Sequence, residues 1–351
     1  MELALYHPEH GYYSSGRATI GRRGDYFTNV SVGPVFGELL AAQFAEIWER
    51  IGKIDNFLIV EQGAHHGEFA RDVLESAQRR FPEFFAALRY QIVESFPVLK
   101  DRQSKTLQRF RDRVQWRTSL QELEPFIGIH FSNELLDSMP VHLLVATDAG
   151  WQEKCVALDG DDFAFVRQQI VEAKLKQFAA NAPRVPPGHE IEVSLAMLDW
   201  IDNVAAKLQR GFVLVVDYGF SRDDFYDSQL KTGTLQVRAR HRRLTSPFDY
   251  IGNADITVHV NWTSLVEHAG PCGLQLVAFT DQHHFLTGII SKSPALFEKA
   301  DAKTKRELQV LLHPEMLGRT FQVLALARDV DLAMPLAGFK FARAPRHALG
   351  L

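Results

Sequence analysis

The segment with the clearest capacity for chemistry reads FLIVEQGAHHGEFARDVL, residues 57–74. Its apolar run ends in Glu61, Gly63 and Gly67 follow, and a helix-like pattern comes next. A glycine turn between a strand and a helix exposes free backbone N–H groups at the positive end of the helix dipole. In a doubly wound sheet, the turn after the first strand is where ligands bind. The segment therefore predicts a site for a nucleotide-like ligand.

The interior of this turn narrows the choice of ligand. Dinucleotide sites carry G-x-G-x-x-G, but here Ala64 and His65 follow the first glycine, so the fingerprint is absent. An imidazole at this point would crowd a diphosphate. A smaller ligand with a carboxylate, such as S-adenosylmethionine, places less demand on the turn.

An acidic residue also ends the next predicted strand, where Glu94 follows an apolar run. A carboxylate at this place can accept hydrogen bonds from both ribose hydroxyls. Acids also end strands by chance, and for Glu61 or Glu94 alone the two interpretations are about equally good. Because both acids stand at carboxyl ends of strands beside a glycine turn, together they favour a nucleoside site.

A third polar group follows the fourth predicted strand in HFSNELLDSMP. Asn133 can offer a carbonyl oxygen to a substrate N–H group. Glu134 and Asp137 are three residues apart, so on a helical turn they face the same way and could bind a guanidinium or ammonium group. The alternative is an ordinary helix cap with acids in the first turn. The position at a strand end favours an acceptor site.

Alternating elements must position these residues. Apolar runs predict seven strands, the last antiparallel, over 57–61, 90–94, 114–116, 128–132, 211–219, 274–280 and 321–327. Periods of 3.6 residues predict helices after Pro34 and over 68–80, 97–110, 195–209, 263–269 and 294–312. This alternation indicates an α/β fold: a doubly wound, Rossmann-like sheet of seven strands.

Changes in hydrophobic periodicity and turn residues along the sequence divide the chain into four segments. Residues 1–52 form an N-terminal extension with a helix, and 53–140 form the first half of the core. Short strands with turn signals predict an inserted β-meander over 141–190. Residues 191–351 complete the core and include a loop, 220–258, whose length suggests a functional or partly structured segment.

Composition excludes several classes of function. The 351 residues are 46% apolar and 23% charged, with a net charge of −4, which does not suit a nucleic-acid binder that relies on a basic surface. Cys155 and Cys272 have neither metal-site nor disulfide spacing, which fits a reducing compartment. The sequence has no apolar run long enough for a membrane span and no secretory signal. We expect a cytoplasmic protein, or one of the mitochondrial matrix if the source is eukaryotic.

With these residues in place, the chain resembles the MidA-type family of class I S-adenosylmethionine-dependent methyltransferases. The similar blocks extend over almost the whole chain: YHPEHGYY, GRRGDYFTNVSVGPVFGELLA, VEQGAHHGEFARDVL, YQIVESFPVLKDRQ, SNELLDSMPV, VVDYGF, TGTLQVRARH and DITVHVNW. The family includes a mitochondrial complex I assembly factor that methylates a protein arginine.

The resemblance implies roles for individual residues. The expected cofactor-binding residues are Glu61, Gly63, Ala64, His65, Gly67, Glu94, Ser119, Leu120 and Asn133. The expected catalytic residues at the acceptor pocket are Asn133, Glu134 and Asp137. No metal is required, since His65-His66 and His283-His284 lack partner spacing for one.

The sequence departs from the family in its glycine turn. The family reads E-L-G-P-G-x-G, but Ala64-His65 replaces Pro-Gly here. Two interpretations stay open: cofactor binding is weakened, or His65 contacts the methionine end of the cofactor. Roles are also open for the charges of RRGDYFT (Arg22, Arg23 and Asp25), which could close over the site, and for Asp255 and His259 of DITVHVNW, which could line the acceptor entrance.

Two functional hypotheses follow. The first is a methyltransferase that uses S-adenosylmethionine to methylate a protein, at an arginine nitrogen, in connection with respiratory complex assembly. Such a reaction needs positioning of two reactants and no nucleophilic side chain. The second is a non-catalytic assembly factor that has the same fold and a weakened cofactor turn. In both cases the expected partner is a protein of unknown identity, and the chain could form a homodimer.

Overall fold

A computed structural model describes residues 1–18, 28–240, 242–294, 297–298 and 300–351 of the chain. Its helices are α1 Glu2–Tyr6, α2 Asn29–Val32, α3 Val35–Arg50, α4 Glu68–Arg80, α5 Pro82–Ala87, α6 Pro97–Thr106, α7 Ala173–Asn181, α8 Leu195–Lys207, α9 Arg222–Phe225, α10 Trp262–Ala269, α11 Gln282–Lys292, α12 Ala302–Leu312 and α13 Pro345–Ala348. Its strands are β1 Phe57–Gln62, β2 Leu88–Val93, β3 Val114–Arg117, β4 Phe126–Asn133, β5 His142–Thr147, β6 Gly150–Asp159, β7 Asp162–Gln168, β8 Glu190–Val193, β9 Leu208–Asp217, β10 Gly219–Phe220, β11 Gln236–Ala239, β12 Arg242–Arg243, β13 Asp255–Thr257, β14 Val260–Asn261, β15 Gln275–Asp281 and β16 Gln322–Arg328.

The central sheet has seven strands in the order β15–β16–β9–β4–β1–β2–β3. β16 runs antiparallel to both of its neighbours, and the other adjacent pairs are parallel. This confirms the predicted α/β fold and the antiparallel last strand. Because β1, β2 and β4 are parallel, their carboxyl ends lie at one edge of the sheet, so the order of strands brings the predicted site residues to the same edge.

Helices cover both faces of this sheet. On one face, α3 and α4 pack on the strands, with Phe44 and Phe69 at 5.6 and 4.4 Å from the ring of Phe131. On the other face, Ile201 of α8 and Leu265 of α10 are fully buried in a second core. Each such side chain contributes roughly 1.5–3 kcal/mol relative to an exposed one. The two cores hold the strand ends, and hence the site, in fixed positions.

The predicted meander is present as an antiparallel sheet in the order β7–β6–β5–β8. β5 begins two residues after Pro140, and β8 leads directly into α8, so the sheet is inserted between β4 and the second half of the core. The sequence did not reveal its last strand or α7, which lies between β7 and β8. The division of the chain into four segments stays a prediction.

The predicted loop 220–258 is partly structured. It contains α9 and a small sheet in the order β12–β11–β13. Val237 and Ile256 of this sheet pack against Leu5 and Tyr12 from the N-terminal segment. The loop and the N-terminus therefore form a small core of their own beside the carboxyl edge of the central sheet.

One helix prediction was partly wrong. The pattern over 294–312 predicts a single helix, but α12 begins only at Ala302, and α11 was not foreseen. Asp281 caps α11, because its carboxylate accepts a hydrogen bond from the backbone N–H of His284 at 2.8 Å. In the part of the chain that the structure describes, no helix is long and apolar enough to span a bilayer.

Candidate active site

A cavity of about 1090 Å³ lies at the carboxyl edge of the sheet. Most of the predicted site residues line it, namely Glu61, Gly63, Ala64, His65, Glu94, Ser119, Leu120, Asn133 and Glu134. Gly67 and Asp137 do not line it. Residues from α1 and α8 complete the wall. Segments far apart in sequence thus converge on one pocket, which has the size expected for a small-molecule site.

The turn between β1 and α4 has the geometry that its glycines suggest. Gly63 and Gly67 adopt φ of +82° and +84°, the left-handed region in which a side chain is strained. A Cβ at Gly63 would meet Leu135 at 3.5 Å, an ordinary contact, so the conformation and not the space requires glycine there. Gly67 caps α4, and its N–H donates to the carbonyl oxygen of Ala64 at 2.7 Å. The turn leaves backbone exposed at Gly63 toward the cavity.

His65 occupies this turn with an unusual backbone. Its φ is +45°, in the region that glycine would occupy at lower cost. Its ring stacks on His66 with the centroids 3.7 Å apart, and its Nε2 is buried with no partner among the described residues. Burial lowers the pKa of His65 to about 3, assisted by the nearby His66 and Arg102, so the ring is neutral. A neutral ring whose Nε2 is buried without a hydrogen-bond partner among the described residues is compatible with both interpretations of this position.

Glu94 lies directly after β2 with its carboxylate almost buried. One oxygen accepts from the N–H of Phe96 and the other from Nε2 of Gln103, both at 2.9 Å. Burial raises the pKa of Glu94, while these donors oppose the rise. The backbone of Ser95 is a third donor to this carboxylate. A carboxylate has about four acceptor positions, so Glu94 keeps capacity for a ligand hydroxyl.

Gln103 connects the two parts of the cofactor region, and sequence reasoning missed it. Besides Glu94, its Nε2 donates to the carbonyl oxygen of His65 at 3.0 Å. Its Oε1 accepts from the indole of Trp116 at 2.9 Å, which fixes the amide orientation. Gln103 is fully buried on α6. The sequence alone carried no distinct signal for Gln103, which is one of several polar residues in PVLKDRQSKT. Its burial and its partners became evident only from the fold.

Glu61 is the penultimate residue of β1, one residue before the strand end, and its side chain is hydrogen-bonded within the protein. Its Oε2 accepts from the hydroxyl of Tyr90 at 2.7 Å. Burial raises the pKa of Glu61 to about 8, although the Tyr90 hydrogen bond opposes the shift. The group is therefore mainly protonated at neutral pH and can present an O–H donor to the cavity.

The acceptor edge begins at the end of β4. Asn133 Nδ2 donates to Glu134 Oε1 at 2.8 Å, and Asn133 Oδ1 accepts from Nδ2 of Asn29, a buried residue of α2, at 3.1 Å. Glu134 has φ of +52°, an uncommon value for this residue type. Burial, with the neighbouring charge of Asp137, raises the pKa of Glu134 to about 8.

Asp217, at the end of β9, organises this edge and was also missed. Its Oδ2 lies 3.2, 2.9 and 3.4 Å from the backbone N–H groups of Leu135, Leu136 and Asp137. Burial raises the pKa of Asp217 to about 7. The acid occurs in VVDYGF, but the sequence alone could not show that it caps a turn about 80 residues earlier.

Asp137 itself faces inward, away from the lining of the cavity. It is buried, one carboxylate oxygen has no partner among the described residues, and Tyr218 forms a side-chain hydrogen bond to it. Burial and the charge of Asp217 raise the pKa of Asp137 well above its ordinary value. Its position favours an electrostatic influence on Glu134 over direct contact with a ligand.

The N-terminal segment forms a roof of tyrosines over this edge. The Tyr6 hydroxyl donates to the carbonyl oxygen of Ser138 at 2.9 Å, and Tyr13 donates to Asp255 at 2.6 Å. The rings of Tyr6 and Phe96 stack 6.2 Å apart. The roof therefore joins the acceptor edge to the Glu94 side of the cavity.

The remaining candidates lie elsewhere. Asp255 is buried and hydrogen-bonded to Tyr13, and the ring of His259 stacks on Phe220 at 4.5 Å. Neither lines the cavity. These contacts agree with the structural interpretation of DITVHVNW. The charges of RRGDYFT, Arg22, Arg23 and Asp25, lie outside the described residues.

Comparison with known proteins places this site in the class of S-adenosylmethionine-dependent methyltransferases. The chain belongs to the Methyltransf_28 family, which matches residues 39–280 and is described as "Putative S-adenosyl-L-methionine-dependent methyltransferase". This confirms the MidA-type resemblance, the enzyme class and the cofactor.

Individual relatives agree with the family. A crystal structure of a COG1565 superfamily member from Burkholderia thailandensis bound to S-adenosyl-homocysteine is 30% identical, with a TM-score of 0.87, covering 98% of this chain and 90% of that one. The protein arginine methyltransferase NDUFAF7, mitochondrial, of Danio rerio is 25% identical over 97% of this chain and 87% of its own length. The Homo sapiens protein of that name is 26% identical over 93% and 78%. The non-catalytic alternative is not favoured by these relatives.

Proposed function

We propose that this methyltransferase transfers the methyl group of S-adenosylmethionine to a guanidinium nitrogen of an arginine in a protein. The observation that carries the proposal is the acceptor edge, where Glu134 and Asn133 line the cavity and two further carboxyls, Asp137 and Asp217, stand behind them. The names of the relatives support arginine as the acceptor.

The cofactor half of the cavity suits S-adenosylmethionine. The backbone exposed at Gly63 and the start of α4 can receive its methionine end, and Glu94 can accept from its ribose hydroxyls. Ser119 and Leu120 line the wall beyond Glu94, where the base would lie. When bound, the cofactor supplies an electrophilic methyl group on a sulfonium sulfur.

The acceptor half suits a cation. Among the ion pairs of the described residues, none includes Glu134, Asp137 or Asp217, so three carboxyls share a confined region without a basic partner. Neighbouring carboxylates repel one another, which raises their pKa values. A bound guanidinium would offset this repulsion and favour the ionised carboxylates. Its planar N–H groups also match a carboxylate oxygen pair and an amide oxygen.

In this arrangement Glu134 orients the guanidinium and draws its positive charge away from the attacking nitrogen. Transfer breaks the sulfur–methyl bond, releases S-adenosylhomocysteine and frees one proton from the methylated nitrogen, which passes to solvent. Asn133 fixes the carboxylate of Glu134 through its amide. Asp217 holds the turn that carries them, and the tyrosine roof limits access of water. Because sulfonium is a good leaving group, this orientation and exclusion of water is the main catalytic contribution expected of the chain.

The cellular setting is proposed by analogy. The two NDUFAF7 relatives named above are mitochondrial proteins, so a eukaryotic source would place the chain in the matrix and a bacterial one in the cytoplasm. A role in respiratory complex assembly, a protein partner and a homodimer are parts of the same proposal.

The test is transfer of radiolabelled methyl groups into a lysate from a strain that lacks the gene. Labelled protein is hydrolysed and the methylated amino acids are separated. We expect label in methylarginine and not in methyllysine. Glu134→Gln should reduce transfer by about a hundredfold or more, because the charge that orients the acceptor is lost while the shape is kept.

Controls separate the possible outcomes. Glu75→Gln removes an exposed carboxylate on α4 and should label as the wild type does. The affinity of Glu134→Gln for S-adenosylhomocysteine, measured by calorimetry, should hardly change. A wild type that binds cofactor but labels no protein supports the non-catalytic assembly factor. Equal labelling by Glu134→Gln removes Glu134 from the acceptor site.

A further inference from the structure

Three side chains that can bind a metal converge beside α8. Asp202 lies on α8, His268 in the last turn of α10, and Cys272 follows four residues later, before β15. Oδ1 of Asp202 is 2.9 Å from Nε2 of His268 and 3.0 Å from Sγ of Cys272. All three ligand atoms lie within 4.8 Å of one another. None of the three residues lines the cavity.

The geometry suits a tetrahedral ion after a small adjustment. Zinc lies about 2.0–2.3 Å from oxygen, nitrogen and sulfur ligands, so atoms at adjacent corners are about 3.3–3.6 Å apart. The observed separations of 2.9 and 3.0 Å need to open by only a few tenths of an ångström. Two helices and a short turn hold the ligands, so side-chain rotation can supply this movement.

The charges and exposure are also suitable. A carboxylate and a thiolate together neutralise a divalent cation, and the imidazole adds a neutral donor. The side chains of Asp202 and His268 are 44% and 36% exposed, so water can reach a fourth coordination position. Arg328, which lies beside Cys272, is occupied by hydrogen bonds to the carbonyl oxygens of Ala205, Leu208 and Cys272.

We propose that Asp202, His268 and Cys272 form a binding site for Zn²⁺ or a similar borderline-soft divalent cation, with water as the fourth ligand. A sulfur ligand selects zinc and cobalt over magnesium and calcium. The ion would join α8 to α10. Since Trp200 and Asn203 of α8 line the cavity, it would stabilise one wall of the active site without taking part in methyl transfer.

A second group of possible metal ligands in the described part of the chain is less suited to a cation than the group beside α8. His65, His66 and Glu68 also have ligand atoms within 4.8 Å of one another. However, Nη1 of Arg102 lies 3.0 Å from Nε2 of His66, so a guanidinium occupies that lone pair and its charge opposes a cation. This group also belongs to the cofactor turn. The cluster beside α8 is therefore the better metal site.

The experiment is a titration of chelator-treated full-length protein with Co²⁺, followed by displacement with Zn²⁺. We expect one equivalent of Co²⁺ to produce a thiolate-to-cobalt charge-transfer band and tetrahedral visible bands, which Zn²⁺ abolishes. Zn²⁺ should also raise the Tm, while Mg²⁺ at the same concentration should not. Neither readout depends on methyl transfer.

Variants assign the site. Cys272→Ser should remove the charge-transfer band and weaken Zn²⁺ binding by at least about tenfold, and Asp202→Asn should weaken it similarly. Cys155→Ser is the matched control, because Cys155 is the other free cysteine, and it should bind as the wild type does. Circular dichroism checks folding, and Asp202→Asn provides the test if Cys272→Ser fails to fold.

Three results would overturn the proposal. Absence of a thiolate band in the wild type would mean that the three residues form only a hydrogen-bonded cluster. Equal Zn²⁺ affinity of the wild type, Cys272→Ser and Asp202→Asn would place the ion elsewhere. Loss of the band in Cys155→Ser alone would do the same.

Discussion

The cofactor and acceptor halves of the cavity differ in how strongly their carboxyls influence one another. On the cofactor side, Glu94 has three protein donors and Glu61 has one, and burial is the main cause of their raised pKa values. On the acceptor side, Glu134, Asp137 and Asp217 raise one another's pKa values in addition to the effect of burial. Both halves hydrogen-bond their acids to the protein, but only the acceptor half places three acids where each raises the pKa of another.

This difference follows from what each half has to bind. Ribose hydroxyls are neutral, so a ribose site needs acceptors at fixed positions, and Gln103 supplies that rigidity by joining Glu94 to the glycine turn. A guanidinium carries charge, so its binding favours ionisation of acids whose raised pKa values otherwise keep them largely protonated. The comparison therefore predicts that cofactor-side variants change affinity for the cofactor, while acceptor-side variants change transfer and its pH dependence.

Among variants of the cofactor side, the largest effect expected is on cofactor affinity. Glu94→Ala removes two acceptor oxygens from the ribose position and should weaken S-adenosylmethionine by about ten- to a hundredfold, equivalent to about 1.5–3 kcal/mol. Calorimetric titration measures this change. Gln103→Met, which keeps the volume but not the hydrogen bonds, should weaken binding less. Unchanged affinity in Glu94→Ala would contradict the ribose assignment.

The pH dependence of transfer tests the acceptor side. The ionised form of Glu134 binds a cation, and its pKa is raised to about 8, so kcat/KM for the acceptor should rise about tenfold per pH unit below pH 8 and then level off. Asp137→Asn removes a neighbouring negative charge that raises this pKa, so the profile should move to lower pH. An identical profile in Asp137→Asn would show that the two carboxyls are not coupled in this way.

The contrast also explains what the sequence could reveal. Runs such as FVLVV in β9 are apolar without alternation because the strand is buried on both faces of the sheet. Where such an apolar run stops, the strand ends, and this marks the positions of Glu94 and Glu134. These features are local, and most of them were predicted. The central sheet and most of its helices were predicted because their apolar patterns are also local.

Residues that act through long-range contacts could not be predicted. Gln103 and Asp217 matter because of partners on other elements, 9 to 82 residues away. The cluster of Asp202, His268 and Cys272 spans 70 residues and leaves no spacing signature. The start of α12 was misplaced and α11 was not predicted, because the apolar pattern does not mark where these helices begin. The missing information is tertiary in each case.

A smaller effect concerns stability on the cofactor side. The folded protein raises the pKa of Glu61 from 4.5 to about 8, so between these values the native state holds a proton that the unfolded chain has lost. The contribution of Glu61 to stability therefore falls as pH rises through this window, by at most about 1.4 kcal/mol per pH unit. Glu61→Gln should flatten that fall and keep an acceptor for Tyr90. Urea unfolding at pH 5, 6.5 and 8 measures the slopes, with Glu75→Gln as the control. Parallel slopes for wild type and Glu61→Gln would contradict the shift.

The smallest effect, and the one that separates the open interpretations of the glycine turn, is expected at His65. Its φ of +45° is strained for histidine, so glycine would relieve up to about 1 kcal/mol, and His65→Gly should bind S-adenosylmethionine as tightly as the wild type or a few-fold more tightly. His65→Ala removes the ring but keeps the strain, and Ala64→Gly adds flexibility without relieving a positive φ. If strain alone matters, only His65→Gly improves affinity. If the buried Nε2 contacts the methionine end of the cofactor, both His65 variants bind more weakly than the wild type and Ala64→Gly does not. Calorimetry of the three variants beside the wild type therefore decides whether the departure from the family turn is a cost or a contact.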